Sequence, residues 1–152
     1  MRKLFYIAYG SNMDEEQMAH RCPDAELVGT CVLRNWRLMF KGSLTGAYAT
    51  IEKAEGFRVP ALLWKISKED EKSLDHYEGC PTFYYKKNIE FLLPNKTLKK
   101  GMAYIMHEER KLEMPSEYYY KILEDAYEEF CFDKTILQEA WVNSLTFRQN
   151  SF

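Results

Sequence analysis

The sequence predicts an α+β domain in which a mainly antiparallel sheet curls into a barrel, flanked by short helices and followed by two longer C-terminal helices. In the first two thirds of the chain, many short segments of β-forming residues are separated by turn residues. In the last third, apolar residues recur at helical spacing instead. A length of 152 residues suits one domain with its own core. We therefore expect a single domain over residues 1–152.

Seven segments have the composition of strands, and turn chemistry separates them. The turns are predicted at Asn35, Gly42-Ser43, Glu55-Gly56 and Pro94-Asn95. The predicted strands are 4–9, 26–33, 36–40, 47–52, 59–66, 84–93 and 102–107. So many strands at such short spacing favour an antiparallel sheet that closes into a barrel.

Two short helices interrupt the strands. Asn12 is a plausible cap for a helix over residues 14–21. A second helix is predicted to start at Ser67, because acidic residues fill its first turn as the helix dipole prefers. This helix reaches about Tyr77. Gly79 ends this helix.

Two longer helices are predicted after the last strand. Ser116 caps a helix over residues 117–130, and Asp133 caps another in which apolar residues repeat as far as Leu145. The apolar face around Trp141 is expected to pack on the barrel rather than on another subunit. Residues 146–152 show little pattern, so we expect them to dock or fray.

Charge and cysteine spacing argue against a nucleic-acid-binding protein and a disulfide-bonded protein. The net charge is −2 and the pI is about 6.0, so there is no basic footprint and nucleic acid is not an expected partner. Four cysteines lie far apart without a CxxC pair. No signal peptide or long apolar run is evident. We expect reduced thiols, a cytoplasmic location and no membrane association; the sequence does not predict the oligomeric state.

The segment Tyr9-Gly10-Ser11-Asn12-Met13 follows the first predicted strand. Glycine permits a close approach, asparagine tolerates the left-handed region, and successive backbone N–H groups in such a turn can converge on an anion. The alternative interpretation is that Gly-Ser-Asn only caps the following helix. Ser11 lacks the GxSxG context of a nucleophile.

Glu78 stands where the second helix ends, beside Tyr77 and before Gly79. Partial desolvation there would raise the pKa of its carboxyl group toward the range useful for a general base. The alternative is a solvated glutamate at an ordinary helix end. Cys80 lies near His76, but this pair alone does not define a catalytic dyad.

Metal and nucleotide cofactors have no support in the sequence. The three histidines, His20, His76 and His107, share no ligand spacing with one another or with a cysteine. No GxGxxG or GxxxxGK[ST] motif occurs. We therefore expect neither a metal nor another cofactor.

In combination, four segments resemble the γ-glutamylcyclotransferase-like family, which includes the AIG2-like and BtrG-like proteins. They are Tyr9 to Met13, the apolar segment 62–66 that leads to Leu74-Asp75-His76-Tyr77-Glu78-Gly79, Pro115-Ser116, and the segment 46–51. The resemblance covers residues 3 to about 127. It implies a mixed, mainly antiparallel β barrel with flanking helices. It also implies cyclisation of a γ-glutamyl compound to 5-oxoproline, with release of the attached amine or amino acid.

The resemblance also implies roles for individual residues. Glu78 matches the family's general base. Tyr119 and Tyr85 match two tyrosines of the family's site, with Tyr118, Tyr120 and Tyr84 as adjacent alternatives. The matching substrate-binding residues are Tyr6, Ile7, Ala8, Tyr9, Gly10, Ser11, Asn12, Tyr85 and Tyr119.

Three functions agree with these residues. The first is an enzyme that acts on a small γ-glutamyl substrate without a cofactor. The second is a non-catalytic binding or interaction module on the same barrel. The third is an enzyme that removes γ-glutamyl protection from a biosynthetic intermediate, with a different leaving amine. The pair of Glu78 and the whole YGSN segment favours an enzyme, because a binding module needs no base.

Overall fold

The structure, a computed structural model, describes residues 3–43 and 46–150, without the side chains of Ser43 and residues 146–150. The strands are β1 Leu4–Ala8, β2 Glu26–Ser43, β3 Gly46–Ile66, β4 Tyr84–Leu92 and β5 Leu98–Met106. The helices are α1 Glu15–Arg21, α2 Lys68–Tyr77, α3 Glu117–Glu129 and α4 Lys134–Asn150. One turn of 3-10 helix, Ser11–Met13, lies between β1 and α1.

The strands close into a barrel in the order β1-β3-β2-β4-β5. The pairs β1–β3, β2–β3, β2–β4 and β4–β5 are antiparallel. The barrel closes through a parallel contact between Tyr6 of β1 and Met102 of β5. The predicted fold, a mixed and mainly antiparallel barrel with flanking helices, is confirmed.

The structure joins four of the predicted strands into two long strands. Segments 26–33 and 36–40 join in β2, and segments 47–52 and 59–66 join in β3. Asn35 and Gly56 adopt positive φ angles of 65° and 86°, and the Gly56 N–H donates to Asn35 Oδ1 at 3.0 Å. The predicted turns at these residues were wrong, because the two irregularities lie opposite each other and bend the hairpin without ending its pairing.

The far end of this hairpin extends past the predicted turn at Gly42-Ser43. Ser43 at the end of β2 pairs with Gly46 at the start of β3. Gly42 also pairs, with Ala47, so the predicted Gly42-Ser43 turn was wrong because both residues belong to the paired strand β2. Residues 44–45 lie outside the described part of the chain.

Strand β3 anchors the segment that carries the site. From Val59 to Trp64 every residue is buried, as expected for a strand with both faces covered. All of β1 pairs with the C-terminal end of β3, from Leu4 opposite Ile66 to Ala8 opposite Leu62. The turn after β1 therefore starts from a fixed point on the barrel wall.

The caps of α1 and α2 explain how these helices begin. Asp14, not Asn12, caps α1, since Asp14 Oδ1 accepts from the Glu16 N–H at 3.0 Å and the Gln17 N–H at 3.4 Å. The prediction of Asn12 as the cap was wrong because Asn12 belongs to the 3-10 turn before it. Ser67 starts α2 as predicted, in a capping box with Asp70.

The two C-terminal helices form as predicted, but Trp141 itself is 36% exposed and its ring lies 6.5 Å from that of Tyr120 in α3. Ser116 Oγ accepts from the Tyr119 N–H at 3.1 Å and caps α3. Helix α4 packs on β2, with Leu137 and Ala140 buried. Helix α4 continues through residues 146–150, where the sequence showed little pattern; residues 151–152 are not described. No helix in the described ranges is both long enough and apolar enough to cross a membrane.

Candidate active site

A cavity of about 350 Å³ lies between β1, the 3-10 turn, the end of α2 and the start of α3. Tyrosines make up much of its wall. They come from strands and helices far apart in the sequence: Tyr6, Tyr9, Tyr48, Tyr77, Tyr84, Tyr104 and Tyr119. The high aromatic content of the chain thus contributes both to the core and to a pocket with several hydroxyl groups.

Glu78 lies at the C-terminal end of α2 and lines this cavity. Its backbone N–H donates to the Leu74 carbonyl oxygen at 2.8 Å, which fixes the residue to the last turn of the helix. Among the described residues, no side chain hydrogen-bonds to its carboxylate. Burial raises the pKa of Glu78 from its ordinary value of 4.5 to about 7, and the nearby charge of Arg21 opposes that rise.

The opposite wall is the turn Gly10–Asn12. Ser11 and Asn12 are buried, and Asn12 Nδ2 donates to the Tyr6 hydroxyl at 2.9 Å. The N–H groups of Met13 and Asp14 donate to the carbonyl oxygens of Gly10 and Ser11. The first N–H groups of such a turn have no carbonyl partner within it.

Tyrosine hydroxyls join the walls of the cavity. The Tyr9 hydroxyl donates to the Tyr104 carbonyl oxygen at 2.5 Å, and the Tyr84 hydroxyl donates to the Ala49 carbonyl oxygen at 2.8 Å. The Tyr119 hydroxyl accepts from the Ala49 N–H at 3.0 Å, which leaves its own proton for another acceptor. Burial raises the pKa of Tyr119, so the hydroxyl stays protonated at neutral pH.

The structure brings most of the predicted site residues together. Besides Glu78, the predicted residues that line the cavity are Tyr6, Ile7, Tyr9, Gly10, Ser11, Asn12 and Tyr119. Tyr118 is 78% exposed, and Tyr120 packs its ring against Phe40. Tyr119 is therefore the member of this triplet that faces the cavity.

Two predicted residues lie elsewhere. Tyr84, rather than Tyr85, lines the cavity, because neighbouring side chains of β4 point to opposite faces. The Tyr85 hydroxyl donates to Glu108 Oε2 at 2.5 Å instead. Ala8 is buried in β1 but is not part of the cavity wall.

The sequence analysis missed several residues at the site. The lining residues that it missed are Tyr48, Ala49, Tyr77, Phe83 and Tyr104, and it also missed Arg21, which contacts Asn12 and Tyr77. Tyr77 directly precedes Glu78, and this position in the sequence could have indicated that Tyr77 belongs to the site. Tyr104 packs its ring on that of Tyr6 with centroids 5.9 Å apart. The closure of β1 against β5 brings these two rings together, and strand patterns do not show which strands pair.

The cysteines and histidines form no further candidate site. All four cysteines are free. Within residues 3–43 and 46–150, no three His, Cys, Asp or Glu side chains are grouped to hold a metal ion.

Ionisation of Glu78 is expected to lower the stability of the folded chain. The folded chain keeps a proton on Glu78 between pH 4.5 and about 7, where the unfolded chain has released it. Stability is therefore lost as the pH rises through this window. Glu78→Gln, which cannot ionise, should raise Tm by a few degrees at about pH 8 and by less at about pH 5. Thermal unfolding at both pH values tests this, and an equal difference at the two would contradict it.

Glu78 and the Gly10–Asn12 turn line one cavity of a closed barrel. A buried carboxylate beside backbone donors is typical of a small-molecule site used in binding or in acid–base catalysis. The family model described as "Gamma-glutamyl cyclotransferase, AIG2-like" matches residues 6–127. The chain belongs to this family.

Named relatives agree with the family model. The human protein named gamma-glutamylcyclotransferase is 36% identical over 89 residues, which is 54% of this chain and 47% of the relative. The mouse protein of the same name is 32% identical over a stretch of the same length and coverage. The chain spans about half the length of the curated relatives that it matches.

Solved structures extend the likeness to nearly the whole chain. A structure titled "Gamma-glutamyl cyclotransferase" has a TM-score of 0.83 and 25% identity, and the match covers 91% of this chain and 86% of the other. A yeast gamma-glutamyl cyclotransferase described as specific to glutathione has a TM-score of 0.64 at 11% identity, covering 95% and 97%. The second match shows the fold alone.

Proposed function

We propose that this chain is a γ-glutamyl cyclotransferase, which converts a γ-glutamyl amino acid or amine to 5-oxoproline and the free amine. The observation that carries the proposal is that Glu78, with a pKa raised to about 7, shares one cavity with the Gly10–Asn12 turn. The family and its named relatives support the same reaction. A binding module would gain nothing from a desolvated carboxylate, which lowers stability when it ionises.

The reaction needs one substrate molecule held in one conformation. The α-amino nitrogen of the γ-glutamyl group attacks its own γ-carbonyl carbon and closes a five-membered ring. The bond between that carbon and the leaving amine then breaks. Holding the near-attack conformer contributes several kcal/mol, with an effective molarity of up to roughly 10⁵ M or more.

Glu78 moves the proton in this scheme. The α-amine is mostly protonated near pH 7, so a base must take its proton before the nitrogen can attack. Glu78 accepts that proton and delivers it to the nitrogen of the leaving amine. The second proton, which the attacking nitrogen loses as the ring amide forms, follows the same route, so the amine leaves as an ammonium ion and the carboxylate is regenerated. A pKa of about 7 suits both steps, because the group is neither a very weak base nor a very weak acid at neutral pH.

The remaining walls bind and orient the substrate. The N–H groups of the Gly10–Asn12 turn donate to a substrate carboxylate or to the oxyanion that develops on the γ-carbonyl oxygen, each well-placed donor contributing about 3 kcal/mol. The Tyr119 hydroxyl, 3.2 Å from a Cβ placed on Gly10, adds a donor beside the turn. No step in this scheme calls for a metal or another cofactor.

The direct test is an assay of 5-oxoproline with a panel of γ-glutamyl amino acids and γ-glutamyl amines. We expect at least one member to give 5-oxoproline and its free amine in equal amounts. The panel also decides whether the leaving group is an amino acid or an amine, and thus tests the role of a maturation enzyme. Binding of panel members without any turnover would contradict the proposal and indicate a binding module.

Gly10→Ala is expected to weaken substrate binding several-fold while the fold is retained. A Cβ at residue 10 would lie 3.2 Å from the Tyr119 hydroxyl oxygen and 3.5 Å from the Ala49 Cβ. The φ angle of Gly10 is −119°, so close approach and not a positive φ is the reason. Calorimetric titration with 5-oxoproline measures the effect. In a Tyr119→Phe background the loss should shrink; an equal loss in both backgrounds would contradict this account.

A further inference from the structure

Arg21, the last residue of α1, lies beside the cavity and contacts one residue from each of two of its walls. Its Nη1 donates to Asn12 Oδ1 at 2.5 Å. Its Cζ lies 3.6 Å from the centroid of the Tyr77 ring. One guanidinium group therefore touches the turn after β1 and the residue that immediately precedes Glu78.

The contacts continue on both sides of Arg21. The other end of the Asn12 amide donates to the Tyr6 hydroxyl at 2.9 Å, which ties the turn back to β1. The hydroxyls of Ser11 and Tyr77 approach to 3.4 Å. The turn and the end of α2 thus meet directly through Ser11 and Tyr77, and indirectly through Arg21, which contacts both.

We propose that Arg21 is a positioning residue of this site, whose guanidinium fastens the Gly10–Asn12 turn to the end of α2 and so fixes the spacing between the turn and Glu78. The catalytic part of this inference rests on the proposed function. The structural part, that Arg21 controls the environment of Glu78, does not.

The charge of Arg21 gives this residue a second effect on Glu78. Burial raises the pKa of Glu78, and the positive charge of Arg21 lowers it, so the two oppose each other. The groups that face the cavity from β1, β4 and α3 include the hydroxyls of Tyr6, Tyr9, Tyr84 and Tyr119. Burial raises the pKa of each of these hydroxyls, so they are neutral around pH 7.

The charged groups near the far wall are already paired. The Tyr104 hydroxyl donates to Asp75 Oδ1 at 2.6 Å. Asp75 and Glu71 both pair with Lys86, at 3.1 Å and 2.9 Å. Beside Arg21, burial raises the pKa of the Cys22 thiol to about 12, so it too is neutral. Among the residues that the structure describes, Arg21 is thus the cation that acts on Glu78.

Lysine and arginine differ in ways that separate these two effects. Lysine keeps the positive charge but lacks the planar group that stacks on a ring and hydrogen-bonds through a fixed fork. Arg21→Lys therefore removes the guanidinium contacts with Asn12 and the Tyr77 ring but keeps the positive charge. Arg21→Met keeps the apolar stem and removes both. His20 is exposed in the same turn of α1, so His20→Gln is a matched control.

The experiment measures the pH dependence of kcat/KM for 5-oxoproline release by the wild-type protein and the three variants. We expect Arg21→Met to move the midpoint of the acidic limb up by at least about half a pH unit, because Glu78 loses its stabilising cation. Arg21→Lys should leave this midpoint within about 0.2 pH units and raise KM about tenfold. His20→Gln should match the wild-type protein in both.

A second readout does not depend on turnover. NMR titration of the protein with ¹³C-labelled glutamate carboxyl groups, with Glu78→Gln to assign the signal, reports the midpoint of Glu78 directly. We expect that midpoint to rise in Arg21→Met. An unchanged midpoint in a folded Arg21→Met protein would overturn the proposal; if this variant does not fold, an unchanged KM in Arg21→Lys would do so. A wild-type protein without turnover would refute the proposed function, while the titration would still decide the role of Arg21.

Discussion

Glu78→Gln is expected to lower kcat for 5-oxoproline release by about 10² to 10⁴-fold, the usual contribution of a general base. The amide cannot take the proton from the substrate ammonium, but it has nearly the size of the carboxylate. Substrate affinity should therefore stay within about threefold. Single-turnover kinetics and equilibrium titration measure the two effects separately.

The matched control for this variant is Glu69→Gln. Glu69 is an exposed acidic residue on the same helix, α2, and it should tolerate the change without loss of rate. The wild-type kcat/KM should rise with pH through about 7 as Glu78 ionises. Retention of full activity by Glu78→Gln would remove Glu78 from the role of base.

Tyr119→Phe is expected to lower kcat/KM by about 10 to 100-fold. The change leaves the buried Ala49 N–H without its acceptor and removes the hydroxyl proton beside Gly10. The unsatisfied donor costs about 1–3 kcal/mol of folding stability, whereas the fall in kcat/KM comes from the loss of a donor to the substrate. Steady-state kinetics measures the effect, with Tm as the check that the fold is kept.

Tyr118→Phe is the control for this second prediction. Tyr118 is the adjacent tyrosine of α3 and is 78% exposed. Its hydroxyl is far too solvated for its loss to matter, so the variant should behave as the wild-type protein. If Tyr118→Phe and Tyr119→Phe had equal effects, the position of Tyr119 in the cavity would not explain the loss.

The barrel itself was predictable because alternation, turn residues and caps are local signals. The helix that carries Glu78 illustrates this: the Ser67 capping box and Gly79 mark its two ends in the sequence, and the structure keeps both. The long hairpin was not predictable in the same way. Asn35 and Gly56 have the residue types of turns, and only their positions opposite each other across the hairpin make them a bend within continuous pairing.

The candidate site was predictable in part through the family resemblance. That resemblance could not choose between neighbours such as Tyr84 and Tyr85, since the choice depends on which face of β4 meets the cavity. Arg21 and Tyr104 were missed for a different reason. Their contacts with Asn12 and Tyr6 arise from the packing of α1 and the closure of β1 on β5.

The central claim is that Glu78 and the Gly10–Asn12 turn act on the same small molecule from two sides. A crystal structure of the protein with bound 5-oxoproline tests this most directly. We expect the ring nitrogen within hydrogen-bond reach of the Glu78 carboxylate, and an oxygen of the ligand about 3 Å from N–H groups of the turn. A ligand bound at this cavity without contact to Glu78, or bound at another surface, would contradict the claim.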